Sequence, residues 1–368
     1  MTIYPQLILD ALVHVRYPGN GKDIVSSGMV QNDIKIEGNK VSFSIIFEKA
    51  NDPFAKSVVK AAEQAISTYV GENVEIKGNI GIITPEPPKP KTVSILPNVK
   101  NIIAVFSGKG GVGKSTISSN LSISLALLGY KVGLLDADIH GPSIPKMFGV
   151  EDAHPEVIEV EGRHEIIPIE KYGVKILSIG FFVNPNDALV WRGAVSSNAL
   201  KQLMTDAQWG DLDYFVMDLP PGTGDIHLTA VQTVGITGAI VVTTPQDVAL
   251  ADARKGVSMF TGEKINVPVL GLVENMAWFT PAELPENKYY IFGKGGGKRL
   301  AEELDIPLLG QIPLVQSIRE GGDAGHPVAA DENSIMSLAF RDLALKVVDR
   351  IDFRNSNMQA TKRVDIVK

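Results

Sequence analysis

Three stretches of this 368-residue chain carry side chains whose types and spacing could do chemistry together. In GKGGVGKST, Gly108, Gly113, Lys114 and Ser115 fall in the spacing G-x-x-x-x-G-K-[ST]. Such glycines let successive backbone N–H groups turn inward around an anion at a helix N-terminus. Gly108, Lys109, Gly110, Gly111, Val112, Gly113, Lys114, Ser115 and Thr116 are therefore the candidate phosphate cradle. Lys114 is expected to reach the β- and γ-phosphates rather than to sit in a core, so its removal should spare the fold, and the Ser115 hydroxyl is expected to ligate Mg²⁺. The second stretch, KVGLLDADIHGPS, ends an apolar run in Asp136 and Asp138, and the third, DYFVMDLPPGTGD, ends one in Asp218. Carboxylates at the C-terminal ends of strands stand where doubly wound sheets bind ligands. A Mg²⁺-nucleotide site needs them to hold the ion, with its waters, and to orient the attacking water. Lys109, Lys114, Asp136, Asp138 and Asp218 are the candidate catalytic residues, and Ser115, Asp136 and Asp218 the candidate metal ligands. Which of Asp136 and Asp138 orients water is left open.

Elements that would position these groups can be read around them. Ile102 to Phe106 is a β-branched run, and from Lys114 apolar residues recur at helical spacing through Leu121, Leu125 and Leu128, so the order is strand, phosphate loop, helix. Tyr214 to Met217 reads as a buried strand. Pro220, Pro221, Gly222 and Gly224 then make a rigid turn that opens a helix and can sense a γ-phosphate. Downstream, GAIVVTTPQ, a helix from about Asp247 to Phe260, PVLGLVENMAWF, the GKGGGKRLAEEL loop and helix, PLLGQIP and a terminal helix to about Ile351 keep alternating. That alternation predicts an α/β P-loop NTPase fold with a mostly parallel, doubly wound sheet. Asn275, at a strand end, carries an amide able to pair with an adenine edge. Gly293 to Gly297 lacks a K-[ST] ending and reads as a helix-entry turn.

Ahead of this region, residues 1–83 read as a small α+β domain. A first helix carries Ile8, Leu12 and Val15, and DIKIE and KVSFSIIF form a hairpin at Gly38 and Asn39. A second helix, with Asn51 and Asp52 as its cap and Pro53 at its first position, runs through Phe54 and Ile66 to Gly71, and a strand begins near Asn73. Residues 84–99 hold four prolines between Pro85 and Pro90, a semi-rigid linker. Residues 100–352 form the nucleotide domain and 353–368 a polar, mobile tail. Hydrophobic residues at 44% and charged residues at 21% fit an ordinary globular protein, and a net charge of −7 argues against general nucleic-acid affinity. No apolar stretch approaches 18 residues, and no basic-then-apolar leader opens the chain, so neither a membrane partner nor secretion is indicated and a cytoplasmic location is expected. Six histidines lack metal-ligand spacing, and cysteine is absent, which removes every thiolate ligand from the chain.

The phosphate loop has a second lysine, Lys109, which simply holding a nucleotide does not require. GKGGVGKST resembles the deviant Walker A sequence shared by the nitrogenase iron protein, the MinD/ParA ATPases and the Mrp/ApbC proteins. DADIHGPS and DLPPGTGD resemble the Mrp/ApbC forms. Residues 1–83, with DIVSSGMV ahead of the hairpin, look like the small domain of iron–sulfur cluster assembly factors. The resemblance implies a homodimeric, Mg²⁺-dependent ATPase of slow turnover that binds iron–sulfur clusters and transfers them to apoprotein clients. It also implies that Lys109 crosses to the partner's nucleotide and that Pro313 sits where the base is wrapped. The family's C-x-x-C pair is missing; Pro281 and Leu284 stand near its expected places. A metal-free, ATP-dependent dimer switch holding a client protein is the alternative reading.

Overall fold

A computed structural model describes residues 3–49, 52–84, 95–139, 141–160, 162–182, 193–281, 283–284 and 286–364. The proline run, Asn51, His140, Trp191 and the last four residues of the expected tail lie outside them. The chain falls into two compact units, residues 1–92 and 93–368.

In the first unit, α1 (Pro5–Leu12), β1 (Lys35–Glu37), β2 (Lys40–Ile46), α2 (Ala55–Tyr69) and β3 (Ile80–Ile83) follow in order. The strands form one sheet, β1-β2-β3, with β1 antiparallel and β3 parallel to β2. Ile8, Leu12, Phe43, Ile45, Val58 and Ile66 fill its core. Two boundaries differ from expectation. The second helix begins at Ala55 rather than at Pro53, because Asp52 is spent on a turn, accepting from the Phe54 N–H at 2.8 Å. The last strand begins at Ile80 rather than near Asn73, because pairing there is limited to one bridge, Glu75 with Lys40, set between turns closed by Val74 N to Gly71 O and Asn79 N to Ile76 O.

The second unit contains β4 (Val99–Phe106), α3 (Lys114–Leu127), β5 (Val132–Asp136), α4 (Ile144–Met147), β6 (Val157–Val160), β7 (Arg163–Ile166), β8 (Ile169–Lys171) and β9 (Val174–Ser178). These are followed by α5 (Gly193–Thr205), β10 (Leu212–Asp218), α6 (Asp225–Thr233), β11 (Gly238–Thr243), α7 (Asp247–Thr261), β12 (Val269–Phe279), α8 (Gly296–Glu303), β13 (Leu308–Leu314), α9 (Gln316–Asp323) and α10 (Ile335–Asn357). Eight strands form one sheet in the order β13-β12-β11-β4-β10-β5-β9-β8, parallel except for β8 at the edge. Alternate residues of β4 point to opposite faces. Ile103 and Val105 pack with Leu121 of α3 and with Phe340 and Leu343 of α10. Ile102, Ala104 and Phe106 pack with Leu200 of α5, Ile226 of α6 and Val257 of α7. Covering on both faces is what near-continuous apolar strands require, and it is the predicted doubly wound architecture.

The C-terminus departs from expectation. Helix α10 runs six residues past Ile351, and the described part of the tail is tied down. Arg354, 7% exposed, donates from Nη2 to the Gln359 carbonyl at 2.7 Å and to Thr361 Oγ1 at 2.6 Å, and the Val364 N–H donates to the Val231 carbonyl. Buried guanidinium donors need acceptors, and the chain after Asn357 turns back to supply them.

Candidate functional site

The loop between β4 and α3 has its shape forced on it from two sides. A side chain at Gly108 would put its Cβ 2.1 Å from the Asp252 carbonyl carbon, so glycine lets the backbone of α7 lie against the loop. At Gly113 φ is +81°, and a Cβ there would meet Asn275 Nδ2 at 2.1 Å. Glycine is needed at Gly113 on both counts. Lys114 then starts α3, and the loop opens onto a cleft of about 200 Å³ lined by Ser107, residues 110–116, Asp138, Ser143, Met147 and Pro221.

Three donors converge on Asp218, which is fully buried at the end of β10. Lys114 Nζ lies 2.7 Å from Oδ2, and the Ser115 hydroxyl donates to the same oxygen at 2.6 Å. The Ser118 hydroxyl donates to Oδ1 at 2.6 Å. Lys114 is itself only 6% exposed, so the expectation that its removal spares the fold is corrected. Taking the cation away would strand a buried carboxylate.

Asp136 stands directly opposite Asp218 in the pairing of β5 with β10. Its oxygens accept from the Asp138 N–H at 3.1 Å, the Ile144 N–H at 3.2 Å and Ser178 Oγ at 3.0 Å. Burial and then the charge of Asp218 push its pKa up to about 7, against the pull of Lys114 and of these hydrogen bonds. Asp138, in contrast, lines the cleft. The motif therefore splits its two carboxylates, one fully buried at the strand end and one on the cleft wall.

Lys109 Nζ lies 3.5 Å from Gln246 Oε1, just ahead of α7. Asn275, expected at a base, donates from Nδ2 to the Val112 carbonyl at 2.9 Å, so this amide braces the phosphate loop. Pro313 is buried on β13, and neither residue lines the phosphate cleft. Gly295, in the left-handed conformation, caps α8, and Gly296 and Gly297 press against Pro245 and Glu274 as a helix entry. Ser118, Ser178, Gln246 and His227 were not singled out by their types. Only Ser118 left a signal, being one helical turn beyond Ser115.

A search of known proteins bears on this geometry. The family model described as the NUBPL iron-transfer P-loop NTPase matches residues 98–348, and one described as an iron–sulfur cluster assembly protein matches residues 5–77. An iron–sulfur cluster carrier protein of Synechocystis sp. is 40% identical over 94% of this chain and 97% of its own length. One of Aquifex aeolicus is 50% identical over 70% of this chain and 69% of its own length. A solved nucleotide-binding protein of Archaeoglobus fulgidus in complex with ADP superposes with a TM-score of 0.55 at 37% identity, over 62% of this chain and 88% of that one. With phosphate loop, opposed carboxylates and sheet order all in place, the chain belongs to the NUBPL iron-transfer P-loop NTPase family.

Proposed function

We propose that this protein binds and hydrolyses ATP with Mg²⁺ as a homodimer in the cytoplasm, and that it carries iron–sulfur clusters to apoprotein clients on ligands it does not supply as thiolates. The observation that carries the nucleotide half is the convergence of Lys114 and Ser115 on buried Asp218 at the head of a glycine loop. A cleft of about 200 Å³ is smaller than the roughly 300–1,000 Å³ of whole small-molecule sites and suits a phosphate chain. The ADP complex of the Archaeoglobus fulgidus relative supports the nucleotide. The names of the relatives support the carrier over the metal-free switch.

The residues present fit Mg²⁺, because Ser115 and Asp218, with Asp136 opposite, offer only the oxygen donors that ion takes. When bound it neutralises charge on the phosphates. Lys114 would exchange its contact with Asp218 for the phosphates, and loop N–H groups would hold the phosphate oxygens. Asp138, which lines the cleft where Asp136 does not, would orient the attacking water. Asn275 would set the loop's shape, with Pro313, buried on β13, and the half-buried end of β12 left to wall the base. Of the expected linker, residues 84–99, Leu96 and Val99 belong to the second unit, Leu96 in its core and Val99 opening β4, and we assign the linker to the proline-rich stretch ahead of them. The cluster is cargo, and a chain without cysteine must borrow soft ligands from a client or a small thiol.

Lys109 is proposed to act on the partner's nucleotide. Analytical ultracentrifugation with a non-hydrolysable ATP analogue tests the homodimer and that role together. The wild type should dimerise and Lys109→Ala should dimerise more weakly, with nucleotide affinity per subunit retained and turnover down by about 10³-fold. Equal dimerisation and equal turnover would rule the role out.

A further inference from the structure

Beneath the turn that follows Asp218 lies a polar side chain that the nucleotide chemistry does not use. His227, in the first turn of α6, is 1% exposed, and neither ring nitrogen has a partner at full hydrogen-bonding geometry, although two backbone carbonyls stand close enough to act on the ring. The ring faces the carbonyl groups of Gly224 and Pro220, which begin and end the glycine-containing part of the turn. The ring also meets Phe260 of α7 edge-on at 6.3 Å between ring centres, and it lies within reach of the Lys114 charge. Phe260 in turn packs at 4.5 Å on Phe106, the last residue of β4 before the phosphate loop. From above, the same turn is pinned by the Leu219 N–H on the Val105 carbonyl at 3.0 Å and the Gly222 N–H on the Ser107 carbonyl at 2.9 Å.

Two acceptors therefore stand over a single buried donor. Burial holds the His227 pKa down to about 4, so at neutral pH the ring carries one N–H. A buried donor without an acceptor is costly, so an arrangement of the turn that brings one carbonyl onto the ring is favoured over one that brings neither. Because Phe260 sits on α7, whose first residue follows Gln246 and thus the contact with Lys109, the ring lies against the helix that also borders the phosphate loop.

The geometry points to His227 as a positioning residue that locks the turn 219–224 in its hydrolysis-competent arrangement by donating its ring N–H to the Pro220 or Gly224 carbonyl. This rests on the reading that the chain hydrolyses ATP. The test is hydrogen exchange of the 219–225 amides with and without a non-hydrolysable ATP analogue and Mg²⁺, alongside kcat and KM, in the wild type, His227→Gln and His227→Leu. Glutamine keeps an N–H donor and leucine does not. Wild type and H227Q should gain protection on binding the analogue, with kcat within about twofold of each other. H227L should bind with KM within about threefold, lose most of the added protection and drop about tenfold in kcat, roughly the factor one neutral hydrogen bond supplies. Should H227L not fold, His227→Met is the donor-free variant. Wild-type protection and kcat in the donor-free variant, or failure of H227Q alongside it, would overturn the role. No binding of the analogue by the wild type would instead overturn the ATPase reading on which it stands.

Discussion

Two strand ends of one sheet have had different fates. At the end of β10, Asp218 gathers Lys114, Ser115 and Ser118 behind the phosphate loop, all within 2.7 Å. Past the end of β12, where the resemblance implies thiolates, the chain carries exposed aromatic and aliphatic side chains among charged ones. Phe279 and Tyr289 exchange two backbone hydrogen bonds at 2.8 Å, Lys288 sits 4.1 Å over the Trp278 ring, and Leu284, Tyr289 and Ile291 are exposed. The contrast follows from what each chemistry needs. Phosphate binding is mostly backbone N–H groups, a lysine and two or three oxygens, and glycine spacing fixes it. Cluster binding is side-chain thiolate and vanishes with the cysteines.

Breaking the first strand end should have the largest effect. Lys114→Ala should lower ATP affinity by at least about 100-fold with no measurable turnover. It should also cost about 3 kcal/mol of stability, since Asp218 is left buried with two hydroxyl donors and no counter-charge. Calorimetric ATP titration and urea unfolding measure the two effects, and an unchanged affinity would mean that the loop holds no phosphates.

The carboxylates come next. Asp218→Asn and Asp138→Asn should each cut turnover by about 10²-fold or more while sparing most of the nucleotide affinity, because each removes a positioning charge. Asp136→Asn should cut turnover less than Asp138→Asn, because Asp138 lines the phosphate cleft and Asp136 does not. Steady-state ATPase assays decide this, and the reverse order of Asp136 and Asp138 would exchange their roles.

A smaller effect sharpens the account of burial behind the loop. Asp136 has its folded pKa raised from 3.8 to about 7, so its contribution to stability is complete below about pH 4 and is lost as pH rises through 7. His227 has its folded pKa lowered from 6.5 to about 4, so its contribution is present above 6.5 and is lost as pH falls through 4. Between these limits the two oppose each other. Asp136→Asn should therefore lose stability on acidification faster than the wild type, and His227→Gln should lose it more slowly. Slopes should differ by at most about 1.4 kcal/mol per pH unit in urea unfolding between pH 4.5 and 6.5. Parallel slopes in all three proteins would show that neither group is perturbed as described.

The sheet and the phosphate loop were legible because apolar run, glycine spacing and helical periodicity agreed in one stretch from Ile102 to Leu128. What was not legible depended on neighbours far away in sequence. Asn275 looks like a base contact until Gly113 is seen to leave room for it, 162 residues earlier in the chain. The tail reads as mobile from its polarity, and only Arg354 buried beneath it shows why it folds back. His227 is one scattered histidine in the sequence, and its isolation under two carbonyls belongs to tertiary structure alone.

The contrast between the two strand ends is tested most directly by iron. Protein reconstituted anaerobically with iron and sulfide, then desalted without small thiols, should retain less than about one iron per dimer and hydrolyse ATP undiminished. Retention of about four irons per dimer with a visible charge-transfer band, the content of one bound [4Fe–4S] centre, would contradict the claim that the cluster's ligands lie outside this chain.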